Sequence, residues 1–279
     1  MSVRVYKVGG PALEDPGLVG PLADEVRRGD GPAVLVHGGG RAVDRLLKAL
    51  QIESRFVEGR RVTSPEAMSV VEMVLSGAAN KDLAAGLTAA GVPAIGLSGR
   101  DGGLVRARLA PDLGRVGTPE HVDPAPLRAL WAAGFLPVVS PVASGPHGEA
   151  VNVNADEAAL GIARAVGATT LVYLSDVDGV RIGEHTAEAL TPEEARRRIG
   201  DGTIAGGMAL KVRVALDASA AGIPEVVIAG KARLLGRFPG TRIVSDAGSI
   251  DRLSGGLSRN GQLPRNPLDR DSSGDEVNR

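Results

Sequence analysis

Short apolar, β-branched runs alternate with Ala- and Leu-rich stretches along most of this chain, and that alternation limits its fold more than any other feature. The runs lie at 3–8, 33–37, 94–97, 136–141, 169–174 and 225–229; the intervening stretches, at 17–28, 42–50, 66–90, 125–133, 156–166 and 210–221, carry helical patterns. Apolar strands separated by amphipathic helices predict an α/β fold: a three-layer αβα sandwich around a mainly parallel, open sheet. Two segments, 104–109 and 115–117, predict a hairpin inserted into this alternation, placed as a lid over a site. Ser144-Gly145-Pro146-His147-Gly148 reads as the turn of a further hairpin. From about Ser245 the apolar periodicity stops and Gly, Ser, Asn, Asp and Arg take over, so the reading is one domain over 1–244 and a disordered tail over 245–279.

The first run brings chemistry with it. Val5-Tyr6-Lys7-Val8-Gly9-Gly10 puts a lysine inside an apolar strand, where an ammonium is costly to bury unless an anion pairs with it. The glycines behind it leave backbone N–H groups uncovered by any Cβ. This is the make-up of a phosphate cradle, although a lysine closing an edge strand fits the same six residues. Gly38, Gly39 and Gly40 follow the second run and open a helix, whose N-terminus favours anions. They form no P-loop, and the dinucleotide fingerprint fails at its third glycine, where Val43 stands. Asn152-Val153-Asn154-Ala155-Asp156-Glu157 opens another helix, with Asn154 as N-cap and Glu157 completing a capping box. That leaves Asn152 and Asp156 free to orient a substrate or a cation.

Gly206-Gly207-Met208-Ala209-Leu210-Lys211 places a lysine in the first turns of a helix, where the dipole does not favour one. Ser175-Asp176-Val177-Asp178-Gly179 ends a strand at a ligand edge or in a plain Asp-Gly turn. Arg60-Arg61 offers a guanidinium clamp for a carboxylate. The four histidines lack zinc-ligand spacing, and no metal-ligating set is predicted. Gly96-Leu97-Ser98-Gly99 misses the spacing of a nucleophile elbow.

Composition excludes other classes. Hydrophobic residues make up 43% but aromatics only 2%, so the core is built from Ala, Val, Leu and Ile. A net charge of −1 carries no basic excess, which predicts no nucleic-acid and no membrane partner. With no cysteine, no leader pattern before the first strand and no long apolar run, the expectation is a cytoplasmic protein.

Taken together, Lys7-Val8-Gly9-Gly10, His37-Gly38-Gly39-Gly40, Gly59-Arg60-Arg61-Val62-Thr63, Asn152-Val153-Asn154-Ala155-Asp156 and Gly207-Met208-x-x-Lys211 resemble the amino acid kinase family, as do Val71-Glu72-Met73-Val74, Asn80-Lys81 and the segment 96–102. The resemblance runs over roughly 3–244 and is strongest to the branch that phosphorylates N-acetyl-L-glutamate. It implies transfer from ATP to the side-chain carboxylate of N-acetyl-L-glutamate, in arginine biosynthesis. The acceptor would lie on the N-terminal part and ATP on the C-terminal part. Lys7 and Lys211 would stabilise the transferring phosphoryl group, with Asp156 holding both. Gly39 and Gly40 would donate to substrate, Arg61 would clamp its α-carboxylate, and Asn152 would read its amide. Nucleotide contacts would fall to Gly9, Gly10, Ser175, Asp176, Val177, Asp178, Gly179, Val180, Thr203, Ile204 and Ala205. Mg2+ would be held mainly by the phosphates and water.

Arginine-inhibited members carry an extra helix before the first strand. Lys7 leaves no space for it, so a homodimer without arginine feedback is expected. Three alternatives remain. A kinase of the aminoadipate branch of lysine biosynthesis, whose substrate rides on a small acidic protein, is kept open by Arg55, Arg60, Arg106 and Arg108. A nicotinamide-dependent dehydrogenase using Gly38–Gly40 is weakened by Val43 and Lys7. A non-catalytic amino-acid sensor is weakened by the presence of both lysines and Asp156.

Overall fold

A strand buried on both faces can be apolar from end to end; the six apolar runs all become strands, five of them buried over most of their length and the sixth, Ala94–Ser98, half-buried at the sheet edge. They occupy consecutive places in an eight-stranded sheet, in the spatial order Ala189–Leu190, Thr241–Ile243, Glu225–Ala229, Thr170–Leu174, Arg4–Val8, Ala33–His37, Leu136–Ser140, Ala94–Ser98. Every pairing is parallel except that of Thr241–Ile243 with Glu225–Ala229. This computed structural model describes residues 2–57 and 59–244; the tail expected over 245–279 lies outside the described residues.

Arg4–Val8 is therefore a central strand, which removes the edge-strand reading of Lys7. Lys7 stands in register with Tyr173 on one side and Val36 on the other. Alternation then divides the sheet's two faces. Val5, Val36 and Tyr173 pack with residues of the helices Ala125–Ala132, Ala155–Val166 and Gly206–Ala220. Tyr6, Val8 and Leu35 pack against Val19–Arg28 and Asn80–Ala89 on the opposite face. The chain leaves Arg4–Val8 toward Ala33–His37 and leaves Thr170–Leu174 the other way, toward Glu225–Ala229. That reversal opens a crevice at the carboxyl ends of the two strands, where Gly9-Gly10 and Ser175–Gly179 emerge.

Two expectations are corrected. The helix expected over 66–90 is three pieces: α from Pro65 to Glu72, a π segment Met73–Ala79, and α again from Asn80 to Ala89. A π turn shifts the hydrogen-bond ladder by one residue while the chain stays helical, so the apolar pattern gives no warning of it. The lid expected from 104–117 is a wall. Val105–Leu109 and Val116–Val122 do pair antiparallel, but Val142–Ser144 and Ala150–Val153 join them in a closed four-stranded sheet. Val105, Ala107, Val116 and Val151 are buried in it, and that burial fixes it in place. The site's mouth is formed instead by an unforeseen hairpin, Arg55–Val57 with Arg60–Val62.

Candidate active site

Burying Lys7 calls for a counter-ion, and Asp156 supplies it: Nζ lies 2.7 Å from Oδ1, with both side chains more than nine-tenths buried. Asp156 is the second residue of the helix Ala155–Val166. Asn154 caps that helix, its Oδ1 accepting from the N–H groups of Asp156 (2.8 Å) and Glu157 (3.4 Å). The capping box is not completed, however. The Glu157 carboxylate turns to the mouth hairpin and accepts from Arg60 Nη2 at 2.6 Å, because a guanidinium is a stronger donor than a backbone amide. Burial raises the pKa of Glu157, with Arg60 opposing the rise and Asp156 adding to it.

Lys211 lies in the second turn of Gly206–Ala220. Burial pushes its pKa below the usual lysine value and the Lys7 ammonium lowers it further, while Asp156 and Asp176 oppose. The four side chains thus share one electrostatic environment. Of the two anchoring contacts expected of Asp156, the described residues contain the one to Lys7.

The glycine loops face each other beside this cluster. Gly9 N–H donates to Leu174 O and Gly38 N–H to Val8 O, each at 2.9 Å, so these two hold their loops to the sheet. The N–H groups of Gly10, Gly39 and Gly40 find no protein acceptor among the described residues. A Cβ on Gly10 would sit 3.4 Å from both Gly39 N and Gly40 N, so a side chain there would fill the cradle. Gly39 has φ 153°, and a Cβ on it would lie 2.7 Å from Leu75 Cδ2. Next to the loops is a cavity of about 220 Å³ whose lining includes Lys7, Asp156, Asn152, Arg61 and Phe56.

Arg61 is anchored by its surroundings. Nη1 donates to Asp44 Oδ1 at 2.6 Å and to Ser54 Oγ, Nη2 reaches Gly40 O at 3.4 Å, and the guanidinium stacks 4.6 Å from the Phe56 ring centroid. Asn152 Nδ2 donates to Thr63 Oγ1 at 3.3 Å. The positions expected to meet nucleotide divide into two groups. Val180 and Ile204 are buried and their N–H groups are bonded to Thr241 Oγ1 and Arg198 O, both at 2.8 Å; a Cβ on Gly179 would strike Thr241. Ser175 is tied to Ala229 O and Asp176, and Asp178 Oδ1 accepts from Ala232 N–H. Asp176, Val177, Asp178, Thr203 and Ala205 are exposed. A second cleft, of about 910 Å³, opens at Gly206-Gly207 and is bounded by Arg60, Glu157 and Leu210.

The sequence reading missed Asp44, Ser54 and Phe56, which immobilise Arg61, and the Arg60–Glu157 bridge. Their only signal was proximity to the Arg60-Arg61 pair. Among the described residues no three His, Asp or Glu side chains gather as a metal site, and no helix is long and apolar enough to cross a membrane.

Comparison with known proteins fits this geometry. The amino acid kinase family model matches residues 2–230. An acetylglutamate kinase of Rubrobacter xylanophilus is 43% identical over 264 residues, covering 92% of this chain and all of its own. The crystal structure of smu.665 from Streptococcus mutans superposes with a TM-score of 0.78 at 27% identity, over 88% of this chain and 99% of its own. The N-acetylglutamate synthase of Neisseria gonorrhoeae, solved with coenzyme A and N-acetyl-glutamate, gives 0.75 at 25% identity, over 91% of this chain and 64% of its own.

Proposed function

The chain belongs to the amino acid kinase family, and we propose that it transfers the γ-phosphoryl group of ATP to the side-chain carboxylate of N-acetyl-L-glutamate. The observation that carries this reading is the buried Lys7–Asp156 pair, set at 2.7 Å beside three unengaged glycine N–H groups and the cavity that Arg61 lines. A carboxylate oxygen of the acceptor attacks the γ-phosphorus, the bond from that phosphorus to the bridging oxygen breaks, and ADP leaves with the electron pair. No proton moves, because the acceptor carboxylate is already ionised at pH 7. The protein's contribution is then position and charge. Lys7 and Lys211 offset charge on the transferring group, and Asp156 holds Lys7 in reach. Gly10, Gly39 and Gly40 direct N–H groups at phosphoryl and acceptor oxygens, and Arg61 takes the non-reacting carboxylate. Asp176, Val177, Thr203 and Ala205 border the nucleotide. Mg2+ fits a site of this make-up as a companion of the phosphates: Asp156 is committed to Lys7 and the described residues offer no carboxylate cage. When bound it would add positive charge to the triphosphate.

An ATP-dependent hydroxamate assay tests the reading. Acetylglutamate should give acyl phosphate, with glutamate, aspartate and carrier-linked aminoadipate giving little. Turnover only with the carrier-linked substrate would replace the acceptor named here.

A further inference from the structure

Asn80-Lys81 and His37 have no part in the chemistry above, yet they form a continuous polar chain in the layer on the far side of the sheet from Lys7. Asn80 is fully buried at the junction where the π segment returns to α-helix. Its Nδ2 lies 2.8 Å from Val138 O, 3.1 Å from His37 Nε2 and 3.3 Å from Leu97 O, while its Oδ1 receives Lys81 Nζ at 3.3 Å. Two of the Nδ2 partners are carbonyls and the Oδ1 partner is an ammonium, so the amide has one workable orientation. The NH2 group has two hydrogens to share among three acceptors and no lone pair to offer, so His37 Nε2 faces it only as an acceptor. That nitrogen must present its lone pair, which places the ring proton on Nδ1, 2.8 Å from Gly38 O. His37 is completely buried, and burial lowers its pKa to about 4, so the ring is neutral near pH 7; no charged side chain contributes to that shift. Lys81 is the charged group that reaches the chain, and Nζ is itself anchored on Gly96 O at 2.6 Å. Gly96 is glycine for a local reason: a Cβ there would lie 2.1 Å from Asn80 Oδ1.

The consequence lies across the peptide plane. Gly38 C=O and Gly39 N–H belong to one trans peptide and point in opposite directions. Holding the oxygen toward His37 turns the Gly39 N–H away from the ring, and Gly39 lines the cavity together with Lys7. Leu75 of the π segment closes the space beneath Gly39, so one helix supports the loop at both points.

We infer that Lys81, Asn80 and His37 are positioning residues: a hydrogen-bonded relay that fixes the Gly38–Gly39 peptide and aims its N–H at the acyl acceptor. The inference rests on the proposed phosphotransfer for its kinetic consequence but not for its geometry. The first test is therefore independent of activity. Nitrogen-15 NMR of the histidines in the wild-type protein at pH 7 should show His37 as a neutral Nδ1–H tautomer. An Nε2–H tautomer or an imidazolium overturns the relay, whatever the enzyme phosphorylates.

The second test is kinetic, on whichever acceptor the wild type uses. Asn80→Ala frees the ring to change tautomer and should lower kcat/KM for the acceptor 10- to 100-fold, with the KM for ATP unchanged within about twofold. Asn80→Asp demands a proton on Nε2. The Nδ1–H donor then survives only in the imidazolium, so this variant should gain activity as pH falls from 8 to 6, where the wild type does not. A folded Asn80→Ala with wild-type acceptor kinetics, or an Asn80→Asp with the wild-type pH profile, overturns the inference. If both variants fail to fold, the tautomer measurement decides it.

Discussion

Acidification should expose the cost of keeping His37 neutral. Its folded pKa of about 4 lies below the ordinary 6.5, and the cause is burial. The unfolded chain binds a proton at that ring between these two values and the folded chain does not. Stability linked to His37 is thus fully present above pH 6.5 and is lost as pH falls toward 4. At about 1.4 kcal/mol per pH unit the interval corresponds to about 3 kcal/mol, with no discount for solvent since the side chain is fully buried. Urea unfolding of the wild type and of His37→Gln, at half-unit steps from pH 7 to 4, isolates this contribution. Surface carboxylates whose pKa values are lowered by their partners, such as Glu14 beside Arg45 and Asp15 beside Lys231, act alike in both proteins and cancel in the difference. The wild type should lose about 3 kcal/mol more than the variant over that range. Parallel pH–stability curves would refute the reasoning.

Lys7→Met and Lys211→Met should each lower kcat by on the order of 10²–10³ with little change in substrate KM, since both act on charge that develops during transfer; steady-state kinetics in each substrate separates the two. Arg61→Ala should chiefly raise the KM for the acceptor, because the carboxylate it takes does not react. Asp156→Ala leaves the Lys7 ammonium buried without its partner and should destabilise the fold by about 3–5 kcal/mol, read by thermal or urea unfolding, in addition to lowering kcat.

The parts of this fold that were legible are those in which burial dictates composition. Leu171–Leu174 and Val226–Ala229 are enclosed on both faces and read as unbroken apolar runs. Arg55–Val57 was not legible because all three residues are exposed, and an exposed strand has no reason to differ from a loop. The π segment was hidden for a related reason: Val74 and Leu75 are buried in it as they would be in an α-helix. The site residues divide in the same way. Lys7 and the glycines stood out because each is anomalous where it sits, a cation in a strand or three consecutive residues without side chains. Arg60–Glu157 and Asn80–His37 are pairs of individually ordinary residues brought together by the tertiary fold, and no local pattern marks a partner tens of residues away.

The charges of the site lead to a further measurable consequence. Lys7 and Lys211 stand against Asp156 and Asp176, so the formal charges of the cluster sum to zero, and burial works against the charge on Lys211. Its pKa is lowered, first by burial and then by Lys7, and the two carboxylates only partly compensate. A phosphate entering beside it supplies the missing anion and must raise that pKa again. Above the lowered value a fraction of Lys211 is neutral in the free protein, and binding then takes up a proton from solution. Calorimetric titration of the Mg2+–nucleotide complex across the alkaline range, in two buffers of different ionisation enthalpy at each pH, counts that proton. The uptake should shrink as pH falls below the lowered value, and should be absent from Lys211→Met throughout. Equal uptake by wild type and variant would assign the proton elsewhere and detach Lys211 from the phosphate.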